Sequence, residues 1–206
     1  MVKMITEREI TEVFPIPLAD MLVTDLELLK GLEREIYAEM ERDPKGALIS
    51  NRGGWQSNRG EEIGPLTQSL RGILTPLVRQ YYSECFRSKS AHVLELTGMW
   101  ANVSGKHTYN TEHVHPGSQV SGVLYIKVPT NPAKITFINP TRAVKMAHAE
   151  DYEEINKWNS EAFWFEPTLG RLVLFPSYLQ HAVDISESDE DRISIAFNAS
   201  YYDRRV

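Results

Sequence analysis

A chain of 206 residues, 42% hydrophobic and 24% charged, fits one domain with a sizeable core. Its formal charge of −6 is spread without a run, and no lysine or arginine stripe alternates with aromatics, so no nucleic-acid partner is expected. The single Cys85 excludes an intrachain disulfide and a thiolate metal site, and no segment approaches the roughly 20 apolar residues of a membrane span. Residues 1–9 lack the unbroken apolar stretch of a signal peptide, and a reducing cytoplasm is the simplest compartment.

In chain order, residues 24–41 read as an amphipathic helix. Thr24 and Glu27 have capping-box spacing, and Leu28 or Leu29, Leu32, Ile36 and Met40 recur at helical intervals. Residues 51–58, Asn-Arg-Gly-Gly-Trp-Gln-Ser-Asn, are turn chemistry around one aromatic and read as a structured loop. A second helical pattern carries Leu66, Leu70, Ile73, Leu74, Leu77, Val78, Tyr81 and Cys85, the cysteine as buried filler. Thr75-Pro76 in its middle either caps a fresh helix or kinks the existing one.

From about residue 92 the period becomes extended, with segments punctuated by Gly, Pro and Asn. Candidate strands are 93–103, 111–115, 120–128, 134–138, 171–175, 180–184 and 192–202. Strands in a row, preceded by helices and without βα alternation, predict a mainly β sandwich or jelly roll with the helices packed outside one sheet. Residues 1–206 are expected to form one domain: helical support over 1–90, a β core over 91–206, and an acidic, aromatic insertion at 141–169 that could cover the pocket.

Two spaced signals carry chemistry. His113-Val114-His115-Pro116 puts two imidazoles at i, i+2, which on an extended segment project to the same side. His181, after Pro176-Ser177, must come from another strand. Three neutral imidazoles suit Fe(II), Zn(II), Ni(II) or Cu(II) and leave open positions, which favours catalysis over a structural role. Taken alone, the pair is weak evidence for a metal and reads more readily as two polar residues on the rim of a loop before Pro116. His92, His107 and His148 lack a spaced partner and read as surface or loop histidines.

The last segment alternates strictly, with Ile193, Ile195 and Phe197 on one face and Arg192, Ser194, Ala196 and Asn198 on the other. If the apolar face packs on the helices, Arg192 and Ser194 point inward, where a guanidinium needs an anion. That anion is either a bound carboxylate, matched by the planar fork of Arg192 with a hydrogen bond from Ser194, or one of Glu187, Asp189, Glu190 and Asp191. Ser121 and Tyr125 share a strand face at i, i+4, so Tyr125 either reaches the same ligand or is a core tyrosine bonded to backbone.

These residues resemble the 2-oxoglutarate- and Fe(II)-dependent oxygenases, and among them an uncharacterised branch. The marks run from Ser50-Asn51-Arg52-Gly53-Gly54-Trp55-Gln56-Ser57 through Trp100-Ala101-Asn102 and His113-Val114-His115-Pro116 to Ser121-Gly122-Val123-Leu124-Tyr125. They continue with Leu174-Phe175-Pro176-Ser177 before His181 and end on Arg192-Ile193-Ser194-Ile195-Ala196-Phe197-Asn198. The resemblance implies a double-stranded β-helix, Fe(II) held by His113, His115 and His181, and 2-oxoglutarate bound through Arg192 and Ser194; the shared strand face makes Tyr125 and Ser121 candidate further contacts. It also implies decarboxylation to succinate driving substrate oxidation, but no particular substrate: hydroxylation of a small molecule and of a protein side chain are both compatible with the sequence.

The sequence departs from the superfamily pattern at His115, which stands where the metal-binding carboxylate usually does. Glu112 is the nearest substitute, but on an extended segment it points to the opposite face. Two rivals follow: a three-histidine cupin-type metalloenzyme that needs no 2-oxoglutarate, and a non-catalytic metal-containing binding module. Helices at the N-terminus of such barrels can carry a dimer interface, which leaves a homodimer open.

Overall fold

The computed structural model describes residues 10, 12–58, 63–141 and 152–201. Helix α1 (Leu26–Arg42) starts one residue later than the capping box predicts. Asp25, not Thr24, is the cap, and its carboxylate accepts from the Leu28 amide at 3.0 Å. Helix α2 (Pro65–Phe86) opens on a proline, whose fixed φ suits the first helical position, and runs through Pro76 without a break. The Thr75 hydroxyl bonds back to the Arg71 carbonyl at 2.8 Å instead of capping a new helix. Pro76 can donate nothing to the Gly72 carbonyl, and Gly72 is exposed, so water can serve that carbonyl. Cys85 is exposed, contrary to the expected filler role, because the last turn of α2, residues 83–86, is exposed all round.

Two antiparallel sheets form the body. The larger contains β1 (Ala19–Leu22), β3 (Trp55–Gln56), β4 (Leu94–Ser104), β6 (Val120–Lys127), β9 (Arg171–Pro176) and β11 (Arg192–Tyr201), in the order β1-β9-β6-β11-β4-β3. The smaller contains β2 (Asn51–Arg52), β5 (Tyr109–His113), β7 (Ile135–Ile138), β8 (Ala162–Phe165) and β10 (His181–Val183), in the order β2-β5-β10-β7-β8. This is the jelly-roll arrangement, with helices outside one sheet. The stretch 51–58 is more than a loop: its two short strands pair with different sheets, joined at Gly53, whose φ of +76° favours glycine. Within 141–169, Ala162–Phe165 is a strand on the edge of the smaller sheet, while residues 142–151, with His148, lie outside the described residues.

Alternation along the central strands divides the apolar residues between two cores. Val120, Leu124 and Ile126 of β6, Leu172 and Leu174 of β9, and Ile193, Ile195 and Phe197 of β11 meet Leu29, Leu32, Ile36, Leu70, Leu74 and Val78 of the helices. The opposite residues, including Val123, Tyr125, Val173 and Phe175, join Ile135 and Phe137 between the sheets. The helices therefore cover the outer face of the larger sheet and turn the Arg192 face inward. Gly122 is required by the outer packing, since a Cβ there would lie 2.3 Å from Phe197 Cζ.

Candidate metal and acid-binding site

The smaller sheet places two of the three histidines by register. His113 ends β5, His181 begins β10, and the two are cross-strand partners with ring centroids 4.3 Å apart. Strand β5 stops at His113, two residues short of the expected end, and His115 follows in an irregular segment held by its amide donating to the Ser177 carbonyl at 3.0 Å. Alternation persists nonetheless: His113 is half-buried and His115 buried, while Glu112 and Val114 are exposed. One ring nitrogen from each of His113, His115 and His181 lies within 4.8 Å of the others, so these three could hold a metal ion.

Backbone carbonyls set the tautomers of two rings. His113 Nδ1 lies 2.7 Å from the Thr111 carbonyl and His181 Nδ1 lies 2.8 Å from the Leu179 carbonyl. A carbonyl can only accept, so each Nδ1 carries the proton and each Nε2 keeps its lone pair for a metal. Burial lowers the pKa of His181 to about 4, with the neighbouring His113 acting in the same direction and the Leu179 carbonyl against it. The ring is thus neutral, as a ligand must be, throughout the physiological range.

A cavity between the sheets runs from the histidines past Trp100 and Phe175 to Tyr125, Ser194 and Arg192. Arg192 is only 3% exposed, and no carboxylate pairs with it among the described residues. The acids beside it in sequence are otherwise engaged or turned away: Asp191 accepts from the Tyr37 hydroxyl at 2.9 Å, and Asp189 pairs with Lys106. The guanidinium has only two long contacts, Nη1 to the Ala133 carbonyl at 3.4 Å and Nη2 to Ser104 Oγ at 3.3 Å, and its Nε has no partner. The Tyr125 hydroxyl is likewise unpartnered. Burial pushes the pKa of that phenol above its ordinary value, opposed by the charge of Arg192 and by the closeness of the guanidinium, which lies near the hydroxyl without a well-formed hydrogen bond to it, so Tyr125 is a neutral hydroxyl.

Ser121 is on the same inward face as Tyr125 but is not brought together with Arg192. Its hydroxyl lies 2.8 Å from both Ser177 Oγ and Asn198 Oδ1. It belongs to the hydrogen-bonded support beneath the His115 turn, through Ser177. Sequence reasoning also passed over Ser104, whose register opposite Arg192 is a property of strand pairing that one segment alone does not reveal.

The sequence family described as "Putative 2OG-Fe(II) oxygenase" matches residues 98–198, a span that contains all three histidines, Tyr125, Arg192 and Ser194. Residues 98–198 carry the sequence pattern of that family. Members use Fe(II) and 2-oxoglutarate, and the histidine cluster is a candidate metal site.

Solved structures share the oxygenase fold. A prolyl-4-hydroxylase from Pseudomonas putida has a TM-score of 0.64 at 14% identity, over 91% of this chain and 94% of that one. An oxidoreductase of the 2OG-Fe(II) oxygenase family from Burkholderia pseudomallei gives 0.57 at 13%, over 89% and 85%. HygX from Streptomyces hygroscopicus, solved with nickel and 2-oxoglutarate bound, gives 0.60 at 11%, over 90% and 83%. At such identities the likeness speaks for the fold alone. No functionally curated protein sequence matches the chain.

Proposed function

We propose that this chain oxidises its substrate with Fe(II) held by His113, His115 and His181, and with 2-oxoglutarate anchored at its distal carboxylate by Arg192, Ser194 and Tyr125. The observation that carries the reading is Arg192: a buried guanidinium without a carboxylate among the described residues, its Nε unpartnered, beside a tyrosine hydroxyl that is also unpartnered. A bound carboxylate supplies the missing acceptors for both and offsets a buried cation that is otherwise costly. The donor set also fits the metal, since imidazole is an accepted Fe(II) ligand and three of them leave positions open.

When bound, Fe(II) and 2-oxoglutarate supply the oxidation of substrate by dioxygen, with 2-oxoglutarate leaving as succinate and carbon dioxide. The chain's own residues prepare that chemistry. The Thr111 and Leu179 carbonyls hold the His113 and His181 rings with Nε2 unprotonated. Trp100, Phe175 and Val123 make the cavity wall between the histidines and Arg192 apolar, which keeps water from the acid and strengthens its pairing with the guanidinium. Ser121, Ser177 and Asn198 support the His115 turn.

A second cavity, of about 310 Å³, lies on the outer side of His113 and His115 and is lined also by Ile49, Ser50, Thr111, Val114 and Asn198. Substrate enters there, and because no Lys, Arg, Asp or Glu among the described residues lines it, an uncharged portion of the substrate is placed next to the metal. Hydroxylation of such a carbon is the reaction we assign.

The test is anaerobic. Protein reconstituted with Fe(II) is titrated with 2-oxoglutarate while the visible charge-transfer absorbance of the chelated complex is followed, in wild type and in Arg192→Ala. A band that Arg192→Ala weakens is the expected result. Fe(II) binding without a band would instead favour the reading in which the third imidazole, His115, marks a cosubstrate-independent enzyme and Arg192 binds the substrate's own acid group.

A further inference from the structure

Strand register lines up four polar side chains on the inner face of the larger sheet. Gln56 of β3 pairs with Asn102 of β4, Asn102 with Ser194 of β11, and Ser194 with Tyr125 of β6. Directly paired residues share a face, and Asn102, Ser194 and Tyr125 all line the cavity that reaches Arg192. Gln56 faces the same way, because Trp55 just before it packs in the helix-side core. The next row toward the histidines is Trp100, Ala196 and Val123, which can bond no acid by its aliphatic and aromatic surface. An apolar row therefore separates these polar side chains from Ser121 and Asn198, which pair further along the same face.

Among the described residues, the fully buried side-chain nitrogen and oxygen atoms without a hydrogen-bond partner are Gln56 Nε2, the Tyr125 hydroxyl and Arg192 Nε. Two belong to this row and the third to the residue beside it. Gln56 is 1% exposed, so its amide is out of reach of bulk water. The side chains of Asn102 and Ser194 make no hydrogen bond to any described residue. Unmet groups concentrated at one level call for one ligand.

Resting on the reading of Arg192 as the 2-oxoglutarate anchor, we propose that Asn102 is a further binding residue for the distal carboxylate and that Gln56 is its positioning residue. A carboxylate presents about four lone-pair sites. Arg192 Nε, the Tyr125 hydroxyl, the Ser194 hydroxyl and Asn102 Nδ2 fill them. With the acid bound, Gln56 Nε2, unpartnered in the ligand-free structure, takes Asn102 Oδ1 as its acceptor, which turns the nitrogen end of the Asn102 amide toward the acid. The acid site thus spans β3, β4, β11 and β6, and the short edge strand β3 is there to carry Gln56.

The experiment compares two 2-oxo acids on the Fe(II)-loaded protein without oxygen, by charge-transfer absorbance. Pyruvate chelates the metal in the same way but lacks the distal carboxylate. Asn102→Leu and Gln56→Met are each expected to weaken 2-oxoglutarate about tenfold, the range of one hydrogen bond to a charged group, and to leave pyruvate unchanged. Because Gln56 acts through Asn102, adding Gln56→Met to Asn102→Leu is expected to cause no further loss. Unchanged 2-oxoglutarate affinity in Asn102→Leu, or equal losses for both acids, would overturn the proposal. Additive losses in the double variant would remove Gln56 from its positioning role. Gln56→Met preserves length and volume, and should it fail to fold, Asn102→Leu decides with the same pair of acids. If wild type binds 2-oxoglutarate no better than pyruvate, or Arg192→Met leaves its affinity intact, the anchor itself fails and the row falls with it. A loss in Arg192→Met without one in Asn102→Leu sinks only the row.

Discussion

His113 and His181 face each other across two antiparallel strands, ring centroids 4.3 Å apart, and each donates its Nδ1 proton to a carbonyl two residues earlier in its own chain segment. The same local device, used twice, aims two lone pairs at one point before any metal arrives. His115 completes the set from the irregular segment after β5.

Removing either pinned ring should therefore be decisive. His113→Ala and His181→Ala are expected to reduce Fe(II) or Ni(II) affinity by more than the roughly 10–100-fold that outer hydrogen-bond partners contribute at metal sites. His115→Asp, which restores a carboxylate, should keep metal binding where His115→Ala weakens it. Anaerobic calorimetric titration of the three variants checks both statements.

Arg192 gives a prediction of opposite signs. Arg192→Met replaces a buried cation that has no carboxylate partner among the described residues with an apolar chain of similar length. The ligand-free variant should be more stable than wild type, by ~1–3 kcal/mol in urea unfolding. Its 2-oxoglutarate affinity should nonetheless collapse. A variant that is less stable and equally well bound would mean that Arg192 serves the fold.

The low pKa of His181 predicts acid sensitivity in the metal-free protein. An unfolded chain takes up a proton on this ring below pH 6.5, whereas the folded chain waits until about pH 4. Stability is full above the upper value, falls through the interval as the pH drops, and levels off below the lower one, a total contribution of up to ~3 kcal/mol. Urea midpoints between pH 7 and pH 4 should show the slope, and His181→Phe should flatten it.

Packing behind the site is tight at Gly122. A methyl group there would lie 2.3 Å from Phe197 Cζ and 2.8 Å from Leu174 Cδ2. Gly122→Ala should destabilise by ~1–3 kcal/mol, measured as a drop in thermal midpoint, because neither neighbour is at a free end of the chain's surface but inside the helix-side core.

Much of this was legible in the sequence where periodicity is long and strict. The ten-residue alternation from Arg192 identified both the helix-facing and the inward face of β11, and the i, i+2 spacing put His113 and His115 on one side. Strands of two residues, β2 and β3, carry no period to read, and their existence depends on partners some 50 residues away. Gln56 was hidden for the same reason. The helix cap was misplaced by one residue because Thr24 and Asp25 are both competent caps and only the backbone chooses between them. Cys85 continued a genuine helical stripe, but the stripe outran the sheet it packs against.

The alternation of β11 has a mechanical side. Its outward residues Ile193, Ile195 and Phe197 are locked among α1 and α2, and its inward residues carry the acid-binding groups. Sliding the strand by one position against β4 would exchange the faces, sending the guanidinium among the leucines and Ile193 into the cavity. The two helices, which supply none of the metal- or acid-facing groups, therefore act as the register clamp of the chemistry.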